Sequence, residues 1–330
     1  MKAFEYAAPG TIEDAVKLLG SPTAAALSGG TDLIGRMKDY VTSPERVVYL
    51  KDIKALSGVE GDGKTAGMTI GAGTKLSDIV VSTAIKEVYP ALWQATVEVG
   101  SPQIRNMATV GGNLLQRPRC WYFRAGHGIL GMKDGKSLVR AGDNRYHAIF
   151  LTDGDALFVT PSSLAVALSA LDAQATITGP KGERTVKVEA LYQVPKTEND
   201  SELLIGPGEI LTNVAIPPAT GKNASYEARQ KQAQDWPLVL ASVNLAMEGD
   251  SVSGAKVVVY GVAPIPWRST AAEKAIAGKR VTIETAAAAG EAAAEGAVPL
   301  SMNGYKVPLT KTVVKRALLA AVGNRYWEEA

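Results

Sequence analysis

Two short stretches of the chain carry the same arrangement of residue types. Leu27-Ser28-Gly29-Gly30-Thr31-Asp32-Leu33 places a hydroxyl, adjacent glycines and two further polar residues where a strand is expected to give way to a helix. Thr109-Val110-Gly111-Gly112-Asn113-Leu114 repeats the order of hydroxyl, paired glycines, polar side chain and aliphatic residue. Adjacent glycines let the chain turn tightly and bring backbone N–H groups close to a ligand, and the start of a helix favours negative charge. The chemistry this suits is the holding of a diphosphate, gripped from two sides. Either pair alone is more simply the punctuation of a short loop. The repetition is what points to one shared dinucleotide. A third cluster, Gly71-Ala72-Gly73, fails the spacing of the dinucleotide fingerprint, since the last glycine would fall at Leu76. No GxxxxGK run occurs either, so Rossmann and P-loop sites are disfavoured.

The remaining composition narrows the chemistry further. One cysteine, Cys120, excludes an internal disulfide, and with only His127 and His147 beside it the usual soft-ligand metal sites cannot be assembled. Iron-sulfur clusters, if used, would lie in another chain, and an organic cofactor fits best. Lys and Arg (35) nearly balance Asp and Glu (33), so no broad field draws the chain to nucleic acid or acidic membranes. No stretch approaches the roughly 18 apolar residues of a membrane span. A cytoplasmic address is expected.

The elements that would position the glycine pairs follow from local pattern. With 330 residues the chain is long enough for two domains. The first hundred residues read as short strands alternating with short helices. TIEDAVKLLG has an N-cap hydroxyl at Thr11, an apolar face and Gly20 as a stop. Residues 24–28 form a buried strand, 29–32 its exit loop and 33–40 a helix. Further strands are expected at 46–50 and 68–71, with helices at 76–81 and 90–99. Residues 101–148 are rich in Gly, Arg and aromatics without clear periodicity, which predicts a long functional loop. A strand at 156–159, a helix capped by Ser162 and running to Leu171, and a hairpin turning at Gly179-Pro180-Lys181-Gly182 come next. Pro217-Pro218-Ala219-Thr220-Gly221 is the best linker, placing domains at 1–217 and 222–330. Beyond it, strands at 238–247 and 255–262 and helices at 270–277, 284–294 and 310–322 predict a sheet with helices on one face.

ALSGGTDL, SPQIRNMATVGGNLLQRPRCWYFR, GDNRYHAIF and GVAPIPWR resemble the FAD-binding subunits of the xanthine dehydrogenase, aldehyde oxidoreductase and carbon monoxide dehydrogenase family of molybdenum hydroxylases. The resemblance spans nearly the whole chain. It implies an α+β fold: a two-lobed, vanillyl-alcohol-oxidase-like (PCMH-type) FAD-binding domain followed by a smaller α+β domain. It places Ala26, Leu27, Ser28, Gly29, Gly30, Thr31, Asp32 and Leu33, together with Thr109, Val110, Gly111, Gly112 and Asn113, around the FAD diphosphate and ribityl chain. Val99 matches an apolar position near the cofactor. Ser163 stands where relatives often have an Asp that contacts the flavin nucleotide, and a helix-capping role serves Ser162 and Ser163 equally well.

The resemblance also implies partners: a large molybdopterin-binding subunit that oxidises substrate, a small iron-sulfur subunit that relays electrons, and an external acceptor. Some relatives carry a four-iron cluster in the insertion after RPRCWYFR. Here Cys120 stands alone and reads as a small buried hydrophobe. The basic and aromatic residues Arg117, Arg119, Trp121, Tyr122, Phe123 and Arg124 read either as a stacked pin for the loop or as a dock for the iron-sulfur subunit. His147 reads as a satisfied hydrogen-bonding residue and His127 as a loop residue. Tyr226, Trp236 and Trp267 read as core. Near Tyr226, which the resemblance places close to the flavin ring, some relatives have Lys and this chain has Glu227; a negative charge there would lower the flavin potential. Two rival readings remain: a stand-alone flavin oxidase, and a structural subunit that has lost its flavin, for which Ser163 is the one hint.

Overall fold

In a computed structural model the described residues are 1–328; the last two residues of the second predicted domain lie outside them. The first lobe is a three-stranded parallel sheet in the order Glu5–Ala7, Arg46–Tyr49, Ala24–Leu27. Successive side chains of a strand point to opposite faces. Val48 and Ala24 accordingly meet the helix Ile12–Leu18, while Val47, Ala25 and Leu27 meet the helix Leu33–Lys38. Thr11 caps the earlier helix by accepting from the Asp14 N–H, as its sequence predicts. The strand Ala24–Leu27 is only half-buried rather than buried, because it lies at the sheet edge. Gly29 and Gly30 leave from its carboxyl end, the place where parallel α/β layers bind ligands.

The second lobe is a five-stranded antiparallel sheet in the order Val59–Glu60, Met68–Gly71, Ile210–Ile216, Gln174–Gly179, Gly182–Lys187. Helix Ser163–Ala170 runs through its core with all eight residues buried, which a helix apolar on every side requires. Each large aliphatic side chain buried there contributes about 1.5–3 kcal/mol. Ser162 is its cap, accepting from the Ala165 N–H.

Residues 217–221 lead from Ile216 into a four-stranded antiparallel sheet, Lys222–Ala228, Val239–Glu248, Ser251–Tyr260 and Trp267–Arg268. Helices Thr270–Ile276, Ile283–Ala293 and Lys306–Ala321 cover one face. These three helices take one face, as expected, and the opposite face is covered as well, by the first domain. Leu240, Val258 and Tyr260 point into the core of the second lobe, and helices Pro90–Val97 and Ser163–Ala170 pack on that side. Asn223 and Ser225 hold the first of these by bonds to the Ala91 N–H (2.9 Å) and from Ser225 Oγ to the Ala91 carbonyl (2.8 Å). The end of the strand Ser251–Tyr260 is apolar on both faces because it separates two cores, with Val258 and Tyr260 in one and Val257 and Val259 in the other.

Residues 101–148 are not a structureless loop. They hold helices Pro102–Met107, Val110–Leu114, Trp121–Arg124 and Leu138–Ala141 and a small hairpin, Met132–Lys133 with Lys136–Ser137. Each helix is about one to two turns, too short to leave a periodic signal. The insertion is consolidated by Phe123, Ile129, Leu130, Ala156 and Phe158, against which Cys120 and Met132 pack. Residues 156–159 form no strand, although 156–158 are buried; the segment bonds through Leu157 to the Ala148 N–H and through Thr160 to Ala263. The fully buried Lys306 anchors the end of the insertion to the C-terminal helices by donating to the carbonyls of Tyr146 and His147, each at 3.0 Å, and of Gly261 at 2.6 Å. Among the described residues no helix is long and apolar enough to cross a membrane.

Candidate functional site

The two glycine pairs, 82 residues apart in the chain, meet across one cavity. Ser28 Oγ lies 3.0 Å from Thr109 Oγ1, which also accepts from the Gly112 N–H at 3.2 Å. The first pair is a bend leaving a strand, with Gly30 in the left-handed region at φ 73°. The second is different from the expected loop: Thr109 caps the short helix Val110–Leu114, and both its glycines are helical. Why glycine is needed differs at each position. A Cβ on Gly29 would collide with the carbonyl of Met107, and one on Gly111 would press on Ala72 Cβ at 2.9 Å. One on Gly112 would meet only Thr109 Oγ1, at 3.0 Å, and otherwise project into the cavity.

The cavity has a volume of about 230 Å³. Ala26, Ser28, Gly29, Gly30, Thr31, Asp32 and Leu33 form one wall, and Thr109, Gly111 and Gly112 the other. An adjoining cavity of about 280 Å³ is lined by Val99, Asn113 and Ser163, and shares Thr31 and Gly112 with the first. Two of the predicted residues are on neither wall. Leu27 turns into the apolar layer with Leu33 and Met37, and Val110 is buried in the second-lobe core. The structure adds residues that the sequence reading set aside or missed. Ala72 and Gly73, rejected as a dinucleotide fingerprint, line the first cavity, and the Gly111 N–H donates to the Ala72 carbonyl at 2.7 Å. Leu50, Leu56, Ile210 and Leu211 are among its further lining residues. They are apolar and carry no signal in sequence beyond core.

Asn113 is held from below. Ser162 Oγ donates to its Oδ1 at 2.7 Å, and Gln116 Nε2 ties its carbonyl to that of Pro161 at 3.0 and 3.2 Å. Ser162 therefore both caps its helix and orients Asn113, and Ser163 is left free of the cap and lines the second cavity.

Asp32 is the most crowded charge of the site. Burial would raise its pKa, but Arg119, Arg124 and Arg36 outweigh that and hold it below the ordinary carboxylate value. Of the aromatic and basic group, Arg124 and Arg119 bind Asp32, and Arg117 and Arg124 stack on Phe123, so these residues do pin the insertion. Trp236 is not core: it is 44% exposed and lies against the Arg119 guanidinium, 5.0 Å from ring to cation, at the edge of the second cavity. Tyr226 packs with Trp327, and Trp267 stacks on Phe150 at 4.7 Å.

Cys120 is half-buried, with its thiol pushed up by burial, and lies 3.2 Å from His147 Nε2. His147 is satisfied at one nitrogen only, since its buried Nδ1 has no partner; burial and the nearby Lys306 lower its pKa to about 4. It is neutral near pH 7. Among the described residues no group of His, Cys, Asp and Glu could hold a metal.

Glu227 lies away from the glycine bends, in a separate cleft with Trp327 and Arg229. Arg229 Nε is 3.0 Å from Glu227 Oε1, oriented as a charge contact rather than a hydrogen bond, and Arg229 also binds Glu98 at 2.6 Å. Burial raises the Glu227 pKa to about 7, with Arg229 opposing and Glu98 adding to the shift. Burial thus disfavours the negative charge expected from sequence, and Arg229 pairs with what charge remains. Because the folded pKa lies above the ordinary value, the folded state holds a proton that the unfolded state loses. The associated stability is present below about pH 4.5 and is lost as pH rises to about 7. Thermal unfolding from pH 5 to 8 should show the midpoint of the parent chain falling relative to that of Glu227→Gln. An identical pH slope in both would remove this account.

Comparison with known proteins agrees with this architecture. Residues 2–219 match the family model described as the FAD binding domain in molybdopterin dehydrogenase, and residues 224–321 the CO dehydrogenase flavoprotein C-terminal domain. The chain is 30% identical over 326 residues to the aldehyde oxidoreductase FAD-binding subunit of Escherichia coli, covering 97% of this chain and 99% of that one. It is 28% identical to the carbon monoxide dehydrogenase medium chain of Hydrogenophaga pseudoflava, with 96% of each covered. A solved carbon monoxide dehydrogenase from the same organism superposes with a TM-score of 0.75 at 27% identity, over 98% of both chains. The two-lobed domain, the sheet beyond it and the paired glycines thus meet in one conclusion: the chain belongs to the family of FAD-binding domains of molybdopterin dehydrogenases.

Proposed function

We propose that this chain seats FAD in the shared cavity of its two glycine bends and serves as the electron-transfer subunit of a heterotrimeric molybdenum hydroxylase. In that assembly it takes electrons from a small iron-sulfur subunit, while a large molybdopterin-binding subunit oxidises an aldehyde, an N-heterocycle or a similar small molecule. The observation that carries the reading is the Ser28–Thr109 contact, which closes two distant bends over one cavity.

The residues present suit the cofactor. Gly112 presents no side chain where a Cβ would otherwise enter the cavity. Ala26 to Leu33, apart from Leu27, and Thr109, Gly111 and Gly112 would hold the diphosphate region, with Thr31 and Gly112 at the passage to the second cavity. There Val99, Asn113 and Ser163 would meet the rest of the molecule. Asn113, fixed by Ser162, offers a polar group that needs no reorganisation on binding. Trp236, lying on Arg119, shields the second cavity from water. Flavin, when bound, accepts electrons singly from clusters and delivers them in pairs to an external acceptor. The division into domains at 1–217 and 222–330 belongs to the same proposal, supported by the linker between Ile216 and Lys222.

Purification of the chain together with an iron-sulfur protein and a molybdopterin-binding protein tests this. The expected complex is yellow-brown, with about one FAD for each copy of this chain. A colourless complex, or turnover of a small-molecule substrate by the chain alone, would overturn it.

A further inference from the structure

Four guanidinium groups converge where the first glycine bend meets the insertion. Asp32 Oδ1 accepts from Arg124 Nη2 at 2.7 Å and faces Arg119 Nη1 at 3.4 Å. Its Oδ2 accepts from Arg36 Nε at 3.0 Å and from the Arg117 N–H at 3.2 Å. The Arg117 side chain pairs with the buried Glu202. Four cations are thus set against two carboxylates, leaving an excess of two positive charges in a partly buried place.

That excess is costly without an anion, because like charges held together out of water repel. Arg36 registers the cost: burial lowers its pKa, Asp32 only partly restores it, and Arg117 and Arg124 oppose it again. Arg119 is held from three sides, by Asp32, by Gln116 Oε1 at 3.0 Å and by Trp236, yet its buried Nε has no partner. The placement of the surplus is selective. Arg36 lines the first cavity, Arg119 the second, and Thr31 lies on both. Carboxylates on the wall of a diphosphate site would repel its ligand; Asp32 is instead saturated by arginines, Glu209 of the first cavity is paired with Arg184, and of Glu98 and Asp235 on the second cavity the former is paired with Arg229.

We propose that Asp32 is a positioning residue that gathers Arg36, Arg119 and Arg124, and that Arg36 on the first cavity and Arg119 on the second supply side-chain positive charge to the dinucleotide where the two cavities meet at Thr31. The glycine bends provide room, and the insertion, through Arg119, provides charge. This rests on the reading that FAD occupies the shared cavity.

Fluorescence titration of the flavin-depleted full chain with FAD, over a series of sodium chloride concentrations, separates the two claims. Arg119→Gln is expected to weaken FAD binding about tenfold and to make its salt dependence shallower, because one fewer screened cation faces the ligand. Arg119→Lys keeps the charge and should regain the parent salt slope. Arg145→Gln, whose charge pairs with Asp143 at the surface, should change neither quantity. An unchanged affinity and slope in Arg119→Gln overturns the proposal. So does a loss of affinity that follows a lowered thermal midpoint with the salt slope intact, which would make the cluster only a pin for the insertion. Failure of the parent chain to take up FAD would instead sink the seating of the cofactor itself.

Discussion

Gly112→Val is expected to give a folded chain without flavin. The position lies in the first turn of the helix Val110–Leu114, where valine is a better helix former than glycine by a few tenths of a kcal/mol. The one contact a Cβ would press on is Thr109 Oγ1 at 3.0 Å, so the shift required is small. The branches of valine then have nowhere to go but the cavity at the point where its two parts join. Flavin content should fall below about a tenth of the parent, while the unfolding free energy stays within about 1 kcal/mol of that of the flavin-depleted parent. Absorbance near the flavin band and a denaturant titration measure the two quantities independently. Full flavin retention would place the diphosphate elsewhere.

Gly29→Ala should fail differently, by damaging the fold as well as the site. An added Cβ meets the Met107 carbonyl and lies 2.7 Å from its carbon and 2.9 Å from Ala108 Cα. All three are backbone atoms, and Ala108 is tied to the second lobe through the Leu76 N–H at 3.0 Å, so the neighbour cannot rotate away. Separating the bends would stretch the Ser28–Thr109 contact. A cost of about 3 kcal/mol or more is expected, at the upper end for overpacking a rigid site. It should appear as a lowered denaturant midpoint even after flavin is stripped from both proteins. A variant as stable as the parent would show that the two lobes approach less closely than described. The pair of substitutions therefore separates two uses of glycine: close contact between lobes at Gly29, and room for a ligand at Gly112.

Much of the local structure was legible along the chain. Thr11 and Ser162 cap helices where their hydroxyls precede apolar runs, and the 174–187 hairpin turns at its Gly-Pro-Lys-Gly. These features depend on residues a few positions apart. The insertion was misread because its helices, such as Trp121–Arg124, are shorter than the period that would reveal them. The buried stretch Ala156–Phe158 misled for the opposite reason: its apolar pattern fits a strand, but its backbone partners are Ala148 and Ala263 rather than a neighbouring strand. Trp236 looked like core because indoles usually are, yet its partner is the cation of Arg119, far away in sequence.

What the order of residues determined alone was the chemical inventory: paired glycines able to approach a phosphate, one cysteine unable to hold a cluster, and caps and turns that start each element. Tertiary structure decided which of those groups share a space. It brought Ser28 to Thr109, turned Leu27 and Val110 away from the cavity, brought Ala72 and Gly73 onto its wall, and surrounded Asp32 with arginines from a separate segment. The physical reason is range. Propensity and capping act within a turn or two of chain, whereas close approach and charge balance depend on distances set only when separate layers pack together.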